Sequence, residues 1–131
     1  MKQEDILAIE RLLSDFAWYA DRGDGESLSR LFAPDGVLHV GGQQLAGRDA
    51  IARDCEQRHA QPGRKTRHLW SNLRIEAEDA HGARTTAVQM TVEQRDAKTE
   101  TRINDLFDTL CRMQSGAWLI TTRVISREIA F

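Results

Sequence analysis

Cysteine and proline are scarce in this chain of 131 residues, which has only two of each. Cys55 and Cys111 lack the close pairing of a zinc ligand set, so we expect reduced thiols and no metal site. No run of about 18 consecutive apolar residues occurs, and a transmembrane helix is therefore not expected. The first residues lack the basic-then-apolar order of a signal peptide. Together these features predict a cytoplasmic protein.

An excess of one charge is lacking as well, because 18 basic and 20 acidic side chains leave a formal net charge of -2. Without a dominant basic field, neither nucleic acid nor an anionic membrane surface is an expected partner. Hydrophobic residues make up 40% of the chain, which is typical of a globular protein, and the length suits one domain over residues 1–131. The motifs GxSxG, GxGxxG and HExxH and the Walker loop are absent too.

What the sequence does contain is an ordered series of short amphipathic elements. Helical periodicity, capping residues and turn glycines predict, in order, a helix over 4–22 ending at Gly23, a short helix after Asp24 reaching Leu31-Phe32, a hairpin over 37–46 and a helix over 47–60. Four long strands follow, at roughly 66–78, 84–95, 99–113 and 117–128. The short turns between them indicate an antiparallel meander, and the whole is an α+β domain with helices on one face of a curved sheet.

The long strands carry apolar residues on both faces. In the strand over 84–95, for example, Val88 and Met90 alternate with Ala87 and threonines. A sheet that is buried on one face only would alternate more cleanly between apolar and polar residues. We therefore expect another subunit to cover part of the second face, which predicts a homo-oligomer.

The segment over 66–76 contains the principal candidate for chemistry. Strand alternation places His68, Trp70 and Asn72 on one face, opposite Leu69, Leu73 and Ile75. An imidazole, an indole and an amide that project together suit a pocket with polar groups in its wall. From spacing alone, however, a structural or edge histidine is the favoured interpretation of His68.

Three further residues are candidates for the same pocket. Asp21 lies in the last turn of the first helix, where the helix dipole disfavours a carboxylate, and it could either orient His68 or pair with an arginine. Arg123, among apolar neighbours, must bind an anion, reach solvent or contact a ligand oxygen. His39, on its short strand, could line the same pocket or could simply face water.

The order of elements and three segments of this chain resemble the SnoaL-like branch of the nuclear transport factor 2-like superfamily. The segments are Tyr19–Asp24 with the following Leu28, Leu31 and Phe32, then Thr66–Glu76, and finally Gly116–Arg123. Within this group the chain is most similar to the scytalone dehydratase and hexachlorocyclohexane dehydrochlorinase type. The resemblance implies a cone, in which a strongly curved antiparallel sheet wraps around three N-terminal helices and encloses a pocket.

The resemblance also implies catalytic roles for Asp21 and His68, which match the aspartate–histidine dyad of those enzymes, and a place in the pocket for Arg123. Two departures matter. The second histidine of the dehydratase has no counterpart in the strand around Gln89, and the lysine of the dehydrochlorinase is replaced by Phe16. What carries over is the base, and not the substrate.

These observations predict a cofactor-independent, dehydratase-like lyase or isomerase that acts on a small, mostly apolar cyclic molecule. His68 would be the general base or acid, Asp21 would orient it, and Arg123 would stabilise negative charge. The residues assigned to substrate binding are Trp70, Asn72, His39, Phe107 and Tyr19. Neither a metal nor an organic cofactor is expected, and the assembly would be a homodimer or a homotrimer.

Two other functions remain open at this point. The fold could serve as a non-catalytic module for small-molecule binding or assembly, because fold does not determine function. The chain could also be a polyketide-cyclase-like or epoxide-hydrolysing enzyme, in which an aspartate activates water or substrate. That last function predicts a second carboxylate in the pocket, for which Asp105 is the strand candidate.

Overall fold

Three helices and six strands make up most of the computed structural model, which describes residues 1–131. In chain order they are α1 (Gln3–Arg22), α2 (Gly25–Ser29), β1 (Phe32–Val40), β2 (Gln43–Ala46), α3 (Arg48–His59), β3 (Arg64–Glu78), β4 (Gly82–Arg95), β5 (Lys98–Arg112) and β6 (Trp118–Ala130). The predicted order of elements is confirmed. The main difference is that β1 begins at Phe32 and not at residue 37, because residues 34–36 lie within the strand, at a register shift.

The strands form one curved, open sheet in the order β2-β1-β6-β5-β4-β3. Strands β3 to β6 are the predicted antiparallel meander. Strand β1 joins β6 in parallel, with Leu38 opposite Arg123. Sequence patterns did not predict this pair, because its two strands lie at opposite ends of the chain and no local turn connects them.

The core lies between the inner face of the sheet and the helices. Its completely or almost completely buried apolar side chains come from both layers and include Ile9, Phe32, Ile51, Leu106 and Ile120. No helix is long and apolar enough to cross a membrane. Both cysteines are free thiols, as expected.

A β-bulge at Asn72 alters the faces that alternation predicts for β3. Asn72 has a φ of 57°, and the pairing of β3 with β4 shifts between Ser71 and Arg74. After the bulge, Leu73 and Ile75 return to the inner side and pack against the core, as Trp70 does. The prediction that Leu73 and Ile75 lie opposite His68 and Trp70 is therefore wrong, since a bulge interrupts the two-residue period.

The end of α1 is held in place by Gly23. This residue has a φ of 68°, in the left-handed region, and caps the helix. A Cβ atom at Gly23 would lie 2.4 Å from Cγ of His59, at the end of α3. The glycine thus permits both the turn and the close approach of the two helix ends, which fixes the position of Asp21 two residues earlier.

The outer face of the sheet carries a row of apolar side chains. Leu69, Met90, Ile103 and Ile129 are successive cross-strand neighbours on β3, β4, β5 and β6. Leu69 and Ile129 are each more than half exposed, at 54% and 53%. Phe107 lies on the same face at 47% exposure. This face is the apolar second face that the strand pattern predicts.

Candidate active site

The end of α1 and the start of β3 bring Asp21 and His68 into direct contact. Nδ1 of His68 lies 2.5 Å from Oδ1 of Asp21, and the backbone N–H of His68 donates to Oδ2 at 3.0 Å. The hydroxyl of Thr66 donates to Oδ1 at 3.1 Å. Three donors from one strand therefore hold the carboxylate, which offsets its unfavourable position at the C-terminal end of a helix.

These contacts determine the charge of Asp21 and the tautomer of His68. Burial raises the pKa of the Asp21 carboxyl, but hydrogen bonds from the side chain and backbone of His68 and from Thr66 outweigh it and leave the pKa below its usual value. Asp21 is then ionised at neutral pH and can only accept hydrogen bonds. The neutral imidazole must therefore carry its proton on Nδ1, so Nε2 has a free lone pair.

His68 lies in the wall of a cavity of about 480 Å³ between the helices and the inner face of the sheet. The apolar part of the wall is formed by Phe16, Ala20, Leu28, Leu38, Val40, Ile51, Cys55 and Ile125. The polar part besides His68 is formed by Asp54, Arg58, Arg64, Gln89, Thr91, Arg102, Asn104 and Arg127, and the hairpin glycines Gly41 and Gly42 complete it. This volume and mixed lining suit one small molecule.

Three polar side chains on β4 and β5 point into the cavity without a partner of their own. Gln89, Thr91 and Asn104 are only 3%, 2% and 6% exposed, and no side-chain hydrogen bond joins them to the rest of the chain. Thr91 is the cross-strand neighbour of His68, and Gln89 that of Asn104. Buried polar groups are normally hydrogen-bonded, so we expect these three side chains to find their partners in a ligand bound in the cavity.

Cys55 also lines the cavity, but it is not suited to nucleophilic attack. Burial, followed by the nearby carboxylates, raises the pKa of its thiol to about 11. The thiol therefore stays protonated at neutral pH, whereas the thiolate is the reactive form. Cys55 contributes to the apolar wall. No group of three His, Cys, Asp or Glu side chains is arranged to hold a metal ion.

The structure does not place Arg123 in the cavity wall. Its guanidinium is completely buried, and it donates two parallel hydrogen bonds of 2.9 and 2.8 Å to the carboxylate of Asp108. The guanidinium carbon lies 4.4 Å from the ring centroid of Phe16, which does line the cavity. The predicted contact of Arg123 with a substrate is thus corrected, because its anion is supplied by the cross-strand neighbour on β5.

Three of the predicted substrate-binding residues lie near the cavity without lining it. The indole N–H of Trp70 donates to the hydroxyl of Ser14 on α1 at 3.0 Å, so Trp70 joins β3 to the helix. Tyr19 is half-buried on α1 and packs against the core. His39 lines a second, smaller pocket, which shares the hairpin glycines with the cavity. For Trp70 the contact with α1 is the reason, and strand alternation alone does not specify such a contact.

The other two, and the alternative carboxylate, do not line the cavity. Asn72 is exposed in the bulge of β3. Phe107 is exposed on the outer face of β5, because the inner face of that strand carries Asn104, Leu106 and Asp108. Asp105 has the same parity as Phe107 and does not line the cavity either. The predicted pocket contacts of Asn72 and Phe107 are corrected by this placement.

Sequence reasoning missed the contribution of β4. The inner face of this strand carries small or polar residues, namely Ala83, Thr85, Ala87, Gln89 and Thr91, while Val88 and Met90 face outward. The signal was present as an alternation of small and large side chains. It was not recognised, because apolar residues occupy both faces and the larger ones are expected inside.

Comparison with known proteins agrees with this architecture. Residues 1–124 match the model of the SnoaL-like domain. A protein of Novosphingobium aromaticivorans, assigned provisionally to the scytalone dehydratases, has 25% sequence identity and a TM-score of 0.83, over 96% of this chain and 85% of that one. A variant of Rv3472 from Mycobacterium tuberculosis, a protein of unknown function, has 23% identity and a TM-score of 0.87, over 97% and 78%.

A nuclear transport factor 2-like protein of Novosphingobium aromaticivorans has 24% identity and a TM-score of 0.81, over 95% and 82% of the two chains. Among curated proteins, none matches this chain. At 23% and 24% identity, the Rv3472 variant and the nuclear transport factor 2-like protein bear on the fold alone. The predicted cone-shaped fold is confirmed.

Proposed function

The chain belongs to the SnoaL-like domain family, and from this premise we propose that it is a cofactor-independent lyase or isomerase of the dehydratase type. Its substrate is a small cyclic molecule. The single observation that carries the proposal is the contact of His68 with Asp21 at 2.5 Å in the wall of the cavity. A histidine oriented by an ionised carboxylate is a general base in many unrelated enzymes.

In the proposed reaction, Nε2 of His68 removes a proton from a ring carbon next to a carbonyl or similar activating group. The electrons of the broken C–H bond move towards the activating group, and the imidazolium is stabilised by Asp21. The imidazolium then returns the proton. If it goes to a hydroxyl on the neighbouring carbon, water leaves and a double bond forms; if it goes to another carbon, the product is an isomer.

Negative charge on the activating oxygen needs a hydrogen-bond donor in the cavity. We assign this role to the amide N–H groups of Gln89, whose side chain is buried and unpaired on β4, the strand next to His68. Such donors are most effective where water is excluded. Gln89 lies in the strand segment where the dehydratase has its second histidine. Arg123 then acts as a positioning residue that holds Phe16 and the centre of the sheet.

The alternatives have less support. A non-catalytic module would gain support from a pocket filled by side chains or from a His68 separated from Asp21, and neither is found. The cyclase-like or epoxide-hydrolysing function requires a second carboxylate. Asp105 does not line the cavity, and Asp54, which does, is held in an ion pair with Arg58 at 2.7 Å. One oxygen of the Asp54 carboxylate is thus already occupied by a guanidinium.

Proton removal can be tested before the natural substrate is known. In D₂O, we expect the protein to catalyse deuterium exchange at the carbon next to the carbonyl in a panel of cyclic ketones, measured by NMR. The variant His68→Ala should lose this exchange. His81→Ala, in an exposed turn, should retain it. Exchange that is equally fast with wild type and His68→Ala would exclude His68 as the base.

We also propose that the protein is a cytoplasmic homo-oligomer, a dimer or trimer, assembled through the outer face of the sheet. The apolar row of Leu69, Met90, Ile103 and Ile129 supports a second copy as its occupant, because an exposed apolar patch marks an interface and most soluble oligomers consist of copies of one chain. Light scattering should give a multiple of the chain mass for wild type. Met90→Glu should give the monomer, and an unchanged mass in that variant would contradict this interface.

A further inference from the structure

Positive charge is concentrated around the cavity of this otherwise slightly acidic protein. The chain has a formal net charge of -2, yet four arginines, Arg58, Arg64, Arg102 and Arg127, line the cavity against the single carboxylate of Asp54. A wall built for an entirely apolar molecule would not need these groups. Guanidinium groups in a concave site attract and orient anions.

Most of these arginines are partly neutralised from within the chain. Arg58 binds Asp54, while Arg64 and Arg102 share Glu93 at 3.1 and 3.3 Å. Arg102 also contacts the exposed Glu100 at 3.2 Å.

Arg95 approaches Glu93 as well, at 3.4 Å, but it does not line the cavity. Arg127 has neither an ion pair nor a side-chain hydrogen bond within the chain, although it lines the cavity. One guanidinium is thus left for an external anion.

The register of the sheet places this charge at a defined distance from His68. His68, Thr91 and Arg102 are successive cross-strand neighbours, and Gln89, Asn104 and Arg127 form the adjacent row. Neighbouring strands lie about 4.8 Å apart, so along the sheet the backbone of Arg102 is about 10 Å and that of Arg127 about 14 Å from the β3 backbone that carries His68. A ring system with a substituent can span that distance.

We propose that the substrate is an amphiphilic acid, with an apolar ring and one carboxylate. The ring packs against Phe16, Leu38 and Ile125, and the carboxylate is bound by Arg127 and Arg102. The amide of Asn104, buried and unpaired between them, supplies a further donor. A planar guanidinium matches a carboxylate with two parallel hydrogen bonds, and one unpaired guanidinium matches one negative charge.

This proposal deepens the proposed function, because it assigns a substrate class to the same cavity. The reaction at the substrate's ring depends on His68 and Asp21, whereas the binding of the substrate's carboxylate does not. An anchored carboxylate fixes which ring carbon faces Nε2 of His68. Anchoring of this kind supplies orientation, which is a large part of catalysis by position.

The test is an equilibrium binding comparison of two matched probes, 2-naphthoate and the neutral 2-naphthylmethanol, by ligand-observed NMR and calorimetry. We expect the carboxylate to bind roughly tenfold more tightly or better, as a charge-assisted hydrogen bond predicts. In Arg127→Gln the affinity for 2-naphthoate should fall by about the same factor, while that for 2-naphthylmethanol is unchanged. Arg53→Gln, an exposed position on α3 outside the cavity, removes the same charge and should change neither affinity.

The outcomes separate this proposal from the proposed function. His68→Ala should keep the preference for 2-naphthoate even if all turnover is lost, so an inactive dyad would leave the binding result intact. Equal affinities for the two probes, no saturable binding of 2-naphthoate at millimolar concentration, or a preference that survives Arg127→Gln would each overturn the carboxylate site. Tighter binding of 2-naphthyl phosphate would overturn the choice of carboxylate.

Discussion

Replacing His68 with alanine is expected to lower kcat/KM by about 10²–10⁴-fold, the usual contribution of a general base. The loss should appear mainly in kcat, because the imidazole acts on the substrate in the transition state and occupies only a small part of the cavity wall. Steady-state kinetics on any substrate found in the deuterium-exchange screen would measure it.

Asp21→Asn should reproduce much of this loss with the imidazole still present. An asparagine can donate its amide N–H to Nδ1 of His68, which moves the imidazole proton to Nε2 and blocks proton removal. It also removes the negative charge that stabilises the imidazolium.

The matched control for this variant is Asp24→Asn, three residues later. Asp24 caps α2 through a hydrogen bond to the backbone N–H of Ser27, and asparagine caps equally well. Circular dichroism should show that all three variants are folded. Wild-type turnover in folded His68→Ala and Asp21→Asn would remove the dyad from the mechanism.

The second large effect is expected on stability, from the buried pair of Asp108 and Arg123. Asp108 is 4% exposed and Arg123 is completely buried. Asp108→Ala would leave the guanidinium buried without its anion, so the free energy of unfolding should fall by about 3–5 kcal/mol. Urea denaturation would measure the change.

The double variant Asp108→Leu/Arg123→Met tests whether stability and turnover depend on the charges of this pair or only on its packing. Replacing both partners with apolar side chains removes the uncompensated charge, so this protein should be more stable than Asp108→Ala. Its kcat should stay within about tenfold of wild type if Arg123 only positions Phe16 and the sheet. A folded, stable double variant without turnover would return Arg123 to the catalytic residues.

Local sequence patterns were sufficient to predict the helices and strands and to name Asp21 and His68 as candidates. The helix that ends at Gly23 is encoded by its periodicity and by a glycine that accepts a positive φ, and the turns between β3 and β6 are equally local. Asp21 is a candidate because a carboxylate is unfavourable in the last turn of a helix. The structure supplies the reason, which is three hydrogen-bond donors from β3.

Local sequence patterns could not predict which residues line the cavity. Whether a strand residue faces the cavity depends on the bulge at Asn72 and on the parity of β4 and β5, and neither is marked by residue type alone. Phe107 faces outward for this reason, while Gln89 and Asn104 face inward.

The sequence by itself determined the order of helices and strands and the family, and it named Asp21 and His68 as candidates, because each of these depends on residues close together in the chain or on a distinctive motif. Only the tertiary structure decided that β1 pairs with β6, that Arg123 forms its ion pair with Asp108, and that Arg127 lines the cavity with three other arginines. These depend on contacts between distant strands, whose partners are selected by the packing of the whole sheet against the helices.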